Sequence, residues 1–123
     1  MNNSRAAFDR HWPLLDASLA SIYRTHTKEQ IFDRIAVGHA YLWPGDESVI
    51  LGEIIVHPIG LRSFNVWLQG GDLDELKTMH PPIEHWARER ACSQMIAWGR
   101  DGWVRKLDGW QSCGTRRRKV LLP

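Results

Sequence analysis

Apolar residues recur at three- and four-residue intervals through the first part of the chain, at Phe8, Trp12, Leu15, Leu19 and Ile22, which places them along one stripe of a helix. Pro13 lies inside that stripe, so the pattern predicts that regular helix begins there or bends there. A second helix has clearer limits. Thr27-Lys28-Glu29-Gln30 has the Thr-x-x-Gln form of a capping box, Ile31, Phe32 and Ile35 supply an apolar face, and Gly38 suits the closing turn. From His39 the period shortens toward two. Ala40-Tyr41-Leu42-Trp43, a Pro44-Gly45-Asp46-Glu47 turn and the β-branched run Ser48 to Val56 predict a hairpin. Arg62 to Gln69, with Phe64, Val66 and Leu68 alternating against Ser63, Asn65 and Trp67, adds a third strand that stops at Gly70-Gly71.

The remainder predicts helix again. Asp72-Leu73-Asp74-Glu75-Leu76 is acidic in the manner of a first helical turn, where carboxylates meet unpaired N–H groups and the positive end of the helix dipole. Pro81-Pro82 is expected to interrupt or restart this helix before Ile83, Trp86, Ala87 and Arg90 carry it to Ala91. Gln94 to Trp98 has the composition of a buried strand, a short helix is expected over Gly102 to Leu107, and Arg116 to Leu122 forms a final strand after Trp110-Gln111-Ser112. The order is α-α-β-β-β-α-β-α-β with a closing strand in one or two parts. It predicts an α+β sandwich: one domain over 1–123, divided into N-terminal helices (1–38), an antiparallel meander (39–71) and a helix-strand-helix-strand half (72–123).

A chain of 123 residues has room for one core, and a mean hydropathy of -0.38 without a long apolar stretch predicts no membrane span. Met1-Asn2-Asn3-Ser4-Arg5 lacks an apolar signal region, from which a cytoplasmic product is expected. The net charge is only +2, but from Arg100 onward seven basic residues stand against two acidic ones, so one end is basic. Cys92 and Cys113 are read as reduced thiols in or near the core.

The element order matches the GNAT (GCN5-related N-acetyltransferase) fold with its first strand missing. Trp103-Val104-Arg105-Lys106-Leu107-Asp108-Gly109-Trp110 resembles, with one residue inserted, the aromatic-Tyr-polar-polar-Leu-Gly-aromatic pattern that family members carry where the last helix turns into the final strands. Over residues 20 to 121 the chain also resembles small GNAT-like proteins of tailed phages and prophages, in Thr25-His26-Thr27, Leu42-Trp43-Pro44-Gly45 and Leu68 to Leu76. That resemblance implies a virion component, internal or associated with portal or tail, or an assembly factor. The expected partners are then other phage structural or assembly proteins, the setting host cytoplasm and particle, with a homo-oligomer compatible and nucleic acid less favoured.

In active GNAT enzymes the loop after the meander has an Arg/Gln-x-x-Gly-x-Gly/Ala pattern, whose N–H groups hold the coenzyme A pyrophosphate. Here that stretch is Gln69-Gly70-Gly71-Asp72-Leu73-Asp74, with carboxylates where the anion docks. The family's proton-donating Tyr corresponds to Val104, which has no proton to give. The resemblance therefore points to a non-catalytic protein that binds no cofactor. The alternative is an acyl-coenzyme A-dependent N-acyltransferase using acetyl-CoA, with Gln69, Gly70 and Gly71 in an altered cradle and Glu53 as base, and His57 near it in sequence. A solvent-open splay between the third and fourth strands would favour the enzyme.

Other constellations have simpler explanations. His80, Glu84, His85 and Glu89 could be assembled into a metal site, but an exposed helix face accounts for them. Seven tryptophans are many for this length; periodicity assigns Trp12, Trp86 and Trp98 to the core and leaves Trp43, Trp67, Trp103 and Trp110 as candidates for a protein interface. Arg116, Arg117, Arg118 and Lys119 on one strand project to both faces, which suits a charged edge strand, a second interface candidate, better than a one-sided phosphate ladder.

Overall fold

A computed structural model describes residues 1–98, 109–113 and 116–121, with the backbone alone for Ile22, Trp98, Ser112, Cys113, Arg116 and Arg117. Helix α1 spans Arg5–Ile22 and starts at a Ser4 cap whose hydroxyl accepts from the Ala7 N–H at 3.2 Å. Regular helix therefore does not begin at Pro13. The proline removes one bond to the Asp9 carbonyl, but Phe8, Leu15 and Leu19 on either side of it are buried and hold both halves against the sheet. Helix α2, Lys28–Ala36, has the expected capping box: the Gln30 N–H donates to Thr27 Oγ1 at 3.2 Å, and the Thr27 N–H to Gln30 Oε1 at 2.9 Å. Gly38 follows with φ +79°, the left-handed turn glycine accepts.

The meander is β1 (Tyr41–Pro44), β2 (Val49–Val56) and β3 (Arg62–Gly70). Helix α3 (Leu73–Glu89) crosses over to β4 (Gln94–Trp98), which lies parallel to β3, and the described chain ends with β5 (Gln111–Cys113) and β6 (Arg116–Val120). These form a mixed sheet ordered β1-β2-β3-β4-β6-β5, antiparallel at every other pairing. The helix expected over 102–107 lies outside the described residues. No strand precedes α1 among the described residues. The outer edge of β1 is instead covered by two asparagines, since the Asn2 N–H donates to the Leu42 carbonyl at 2.8 Å and Asn3 Oδ1 accepts from the Leu42 N–H at 2.9 Å. Among the described residues no helix is long and apolar enough to cross a membrane.

The strict alternation expected along β3 is broken. Leu51 pairs with Leu68, while its neighbour Gly52 pairs with Val66, so Trp67 is the extra residue of a β-bulge. The phase of the strand reverses there. Phe64 and Val66 face α3 with Ile50, whereas Trp67 and Leu68 both pack with Leu42, Val49 and Leu51 beneath α1 and α2. Two cores result, one on each face of the sheet, and the molecule is a three-layer sandwich.

Helix α3 runs unbroken through Pro81 and Pro82, contrary to the interruption expected there. Leu76 and His80 before the prolines and Ile83, Glu84 and Ala87 after them are buried on the same face, and that packing outweighs the lost bonds. Trp43 and Trp110, taken as interface candidates, are buried at 8% exposure each. Trp43 meets Phe64 at 5.4 Å and Trp86 at 5.0 Å between ring centroids, both edge-on, in an aromatic cluster that one strand's sequence does not reveal. Trp110 lies 6.0 Å from the His80 ring. Trp12 and Trp86, expected in the core, are half-buried and pack against it. The Trp98 side chain lies outside the described residues.

Candidate functional site

Three places hold the residues singled out by the sequence. The first is the loop joining β3 to α3. The Gln69 N–H donates to Ser18 Oγ of α1 at 3.2 Å, and the Gln69 side-chain oxygen accepts from His80 Nε2 at 3.2 Å. Gly71, at φ +116°, lies so close to the β1–β2 turn that a Cβ there would stand 2.4 Å from the Glu47 carbonyl oxygen. Its glycine answers a packing need of the fold. The Asp72 N–H donates to Ser48 Oγ at 2.9 Å, and the Asp72 carboxylate caps α3 by accepting from the Glu75 N–H at 3.0 Å.

Glu75 closes the loop against the turn. Its two oxygens accept from the Asp46 N–H at 2.9 Å and the Glu47 N–H at 3.0 Å. The Ser48 hydroxyl and these N–H groups hold its carboxyl below the usual carboxylate range, so the turn is an anion nest already filled by the chain's own carboxylate. A coenzyme A pyrophosphate requires free N–H donors and a local excess of positive charge. Here Gln69, Asp72 and Glu75 have spent their N–H groups within the fold, and Asp72, Asp74 and Glu75 bring negative charge to the helix start. The residues present do not fit that cofactor.

The second place is a cleft of about 370 Å³ on the α1–α2 side of the sheet. Glu53 and Asn65 are directly opposite each other on β2 and β3 and form its floor. Glu53 Oε2 accepts from Arg34 Nη2 of α2 at 2.6 Å and Oε1 from Asn65 Nδ2 at 3.2 Å. Glu53 is therefore a held, half-buried group. The wall is Trp67, with the His26 ring edge-on at 4.9 Å and the Arg34 guanidinium 5.8 Å from its centroid. Tyr23 stands exposed at the mouth. His57 lies elsewhere, near the tip of the β2–β3 hairpin, with Nε2 bonded to Ser63 Oγ at 2.7 Å. The sequence marked Glu53 and Trp67 separately. Arg34 and Asn65 were missed, because an ion pair spanning 19 residues between a helix and a strand has no local pattern.

The third place is the seam between α3 and the C-terminal strands. Lys119 Nζ bonds Glu84, which is 6% exposed, and Arg118 Nη2 donates to Gln111 Oε1 at 3.3 Å. Of the four cations assigned to a basic interface, Lys119 is thus engaged by a buried carboxylate and Arg118 by an exposed cross-strand neighbour, and the side chains of Arg116 and Arg117, like Trp103, lie outside the described residues. His80 and Glu84 do not belong to an exposed face either. His80 is 4% exposed, and burial pushes its pKa down to about 4. His85 and Glu89 do face solvent, paired at 2.6 Å. Among the described residues no three His, Cys, Asp or Glu side chains converge on a metal-sized site. Burial raises the Cys92 thiol, as befits a core cysteine.

The ladder between β3 and β4 runs from Ser63–Gln94 to Val66–Ala97 and stops there, although β3 continues to Gly70. Strand β4 itself ends at Trp98, and the residues that follow it, 99–108, lie outside the described residues. Past the last β3–β4 pair, the Gln69 N–H donates to Ser18 on the α1 side, and the Gln69 side chain accepts from His80 on the α3 side.

No family model and no curated protein matches the chain. Among solved structures, the crystal structure of Tetrahymena GCN5 is similar over 94% of this chain and 89% of that chain, with a TM-score of 0.54 at 10% sequence identity. That likeness establishes a GNAT-like fold and nothing about activity.

Proposed function

We propose that this chain is a non-catalytic protein of GNAT-like fold that works through protein–protein contacts. The observation that carries the reading is the closed loop at the start of α3, where the chain's own carboxylates and N–H groups satisfy one another in the place the family uses for a pyrophosphate. The small phage and prophage proteins that the sequence resembles supply the setting: a virion component or an assembly factor. The contact surface differs from the one the tryptophans suggested. At the tip of the β2–β3 hairpin Val56, Ile59 and Leu61 are 59%, 89% and 38% exposed, on a turn fixed by bonds from the His57 N–H to the Leu61 carbonyl and from the Gly60 N–H to the His57 carbonyl, both 2.8 Å. A rigid apolar knob of this kind loses little freedom on docking, which favours it as an anchor.

A second reading, an acyl-coenzyme A-dependent N-acyltransferase, draws support from Glu53, a carboxylate held at the floor of a cleft. Calorimetric titration with acetyl-coenzyme A separates the two. The natural chain is expected to give no binding heat, and an Asp72→Gly/Asp74→Gly/Glu75→Ala variant, which also empties the nest at Asp46 and Glu47, to gain measurable affinity. Saturable binding by the natural chain overturns the non-catalytic reading.

A further inference from the structure

The cleft under α1 and α2 shares no residue with the loop at 69–75 and has no task in the protein-contact reading. Beside Asn65 on its floor, Glu53 is paired with Arg34 of α2, so the cleft holds two opposite charges side by side. Such a pair discriminates against net charge, because an anion approaching the guanidinium also meets the carboxylate and a cation approaching the carboxylate also meets the guanidinium. It offers a hydrogen-bond donor beside an acceptor. Arg34 makes one side-chain hydrogen bond among the described residues, which leaves most of its N–H groups for a ligand, and each Glu53 oxygen accepts one bond and retains a lone pair. The complement is an uncharged edge that presents an acceptor next to a donor.

The wall adds shape to this chemistry. Trp67 is placed in the cleft by the bulge, and with the edge-on His26 ring it makes an aromatic surface against which a planar ring can pack. A volume of about 370 Å³ accommodates a base with its sugar but no long chain. We propose that this cleft binds a nucleobase-type ligand, a planar uncharged heteroaromatic ring whose ring nitrogen accepts from Arg34 while an exocyclic amino group donates to Glu53. Adenosine has both groups on one edge.

The test is an NMR titration of the whole chain, following the indole N–H of Trp67, with adenosine, purine riboside, ethylammonium and acetate as separate probes. Adenosine is expected to shift the signal saturably, and purine riboside, which keeps the ring nitrogen and lacks the amino group, to bind at least about tenfold more weakly. In Glu53→Gln adenosine affinity falls about tenfold, and in Arg34→Met, where Glu53 has lost its cation, the preference passes from adenosine to ethylammonium. Thermal melts of both variants report folding, and either variant suffices if the other unfolds. The proposal is overturned by the absence of a saturable adenosine shift, by equal binding of purine riboside, by ethylammonium or acetate matching adenosine on the natural chain, or by adenosine binding that neither substitution changes.

Discussion

Burying an imidazole is far less costly when it is neutral than when it is charged, and the surroundings of His80 are arranged for the neutral ring. Its Nε2 donates to Gln69, Trp110 covers one side, and Lys119 adds positive charge nearby, although Glu84 pulls the other way. Burial dominates and brings the folded-state value from 6.5 down to about 4. The sign follows directly. Above 6.5 neither state binds the proton; between 6.5 and about 4 the unfolded chain takes it up and the folded chain does not, so stability falls with falling pH across that window and levels off below it. The loss is on the order of 3 kcal/mol. Urea unfolding of the natural chain and of His80→Gln, which can still donate to Gln69 but does not titrate, measures it. The stability of the natural chain is expected to fall relative to His80→Gln as the pH drops through this window, and a constant separation would mean that His80 titrates alike in the folded and unfolded chain.

Among the elements, the least conventional is the N-terminal segment, which covers the β1 edge with one backbone and one side-chain hydrogen bond to Leu42. Removing residues 1–3 is expected to cost about 1–2 kcal/mol and to raise self-association, because it bares the N–H and C=O of an edge strand. Chemical denaturation and sedimentation velocity would show both effects, and a truncated chain that stays as stable and as monomeric as the parent would refute the covering role. The other elements were legible to different degrees. The Thr27–Gln30 box, the hairpin and the fourth strand could be read because their signals are local: a cap four residues long, a turn followed by a β-branched run, a short apolar run. The bulge at Trp67 could not, since nothing in Arg62 to Gly70 shows which residue lacks a partner until β2 lies beside it. The prolines in α3 misled for a related reason. Their local cost is real, but tertiary burial of the residues around them decides the outcome. Of the site, Glu53 was visible and its environment was not, because Arg34 and Asn65 reach it from separate elements.

At the scale of the whole molecule, the C-terminal strands are joined to the rest by the short β3–β4 pairing, by β4 itself and by what α3 reaches across the sheet. The Lys119–Glu84 pair is the polar part of that reach, and it is asymmetric: the Glu84 side chain is 8% exposed and the Lys119 side chain 22%. Removing the lysine strands a buried carboxylate, whereas removing the carboxylate leaves an ammonium that can turn toward water. Lys119→Met is therefore expected to cost about 3–5 kcal/mol and Glu84→Gln roughly 1–2 kcal/mol. The double variant Glu84→Leu/Lys119→Met should recover much of the loss, since an apolar pair of similar volume often replaces a buried ion pair without penalty. Urea unfolding of the four proteins at neutral pH measures these costs, and equal costs for the two single variants would show that Glu84 is not held as a buried charge. The result bears on function as well. If Lys119 is a structural cation, neutralising Arg116 to Lys119 together weakens the fold itself, and loss of a partner's binding in that variant reports unfolding rather than a basic interface. Contacts made by this end of the molecule are then properly tested at Arg116 and Arg117 with Lys119 left in place.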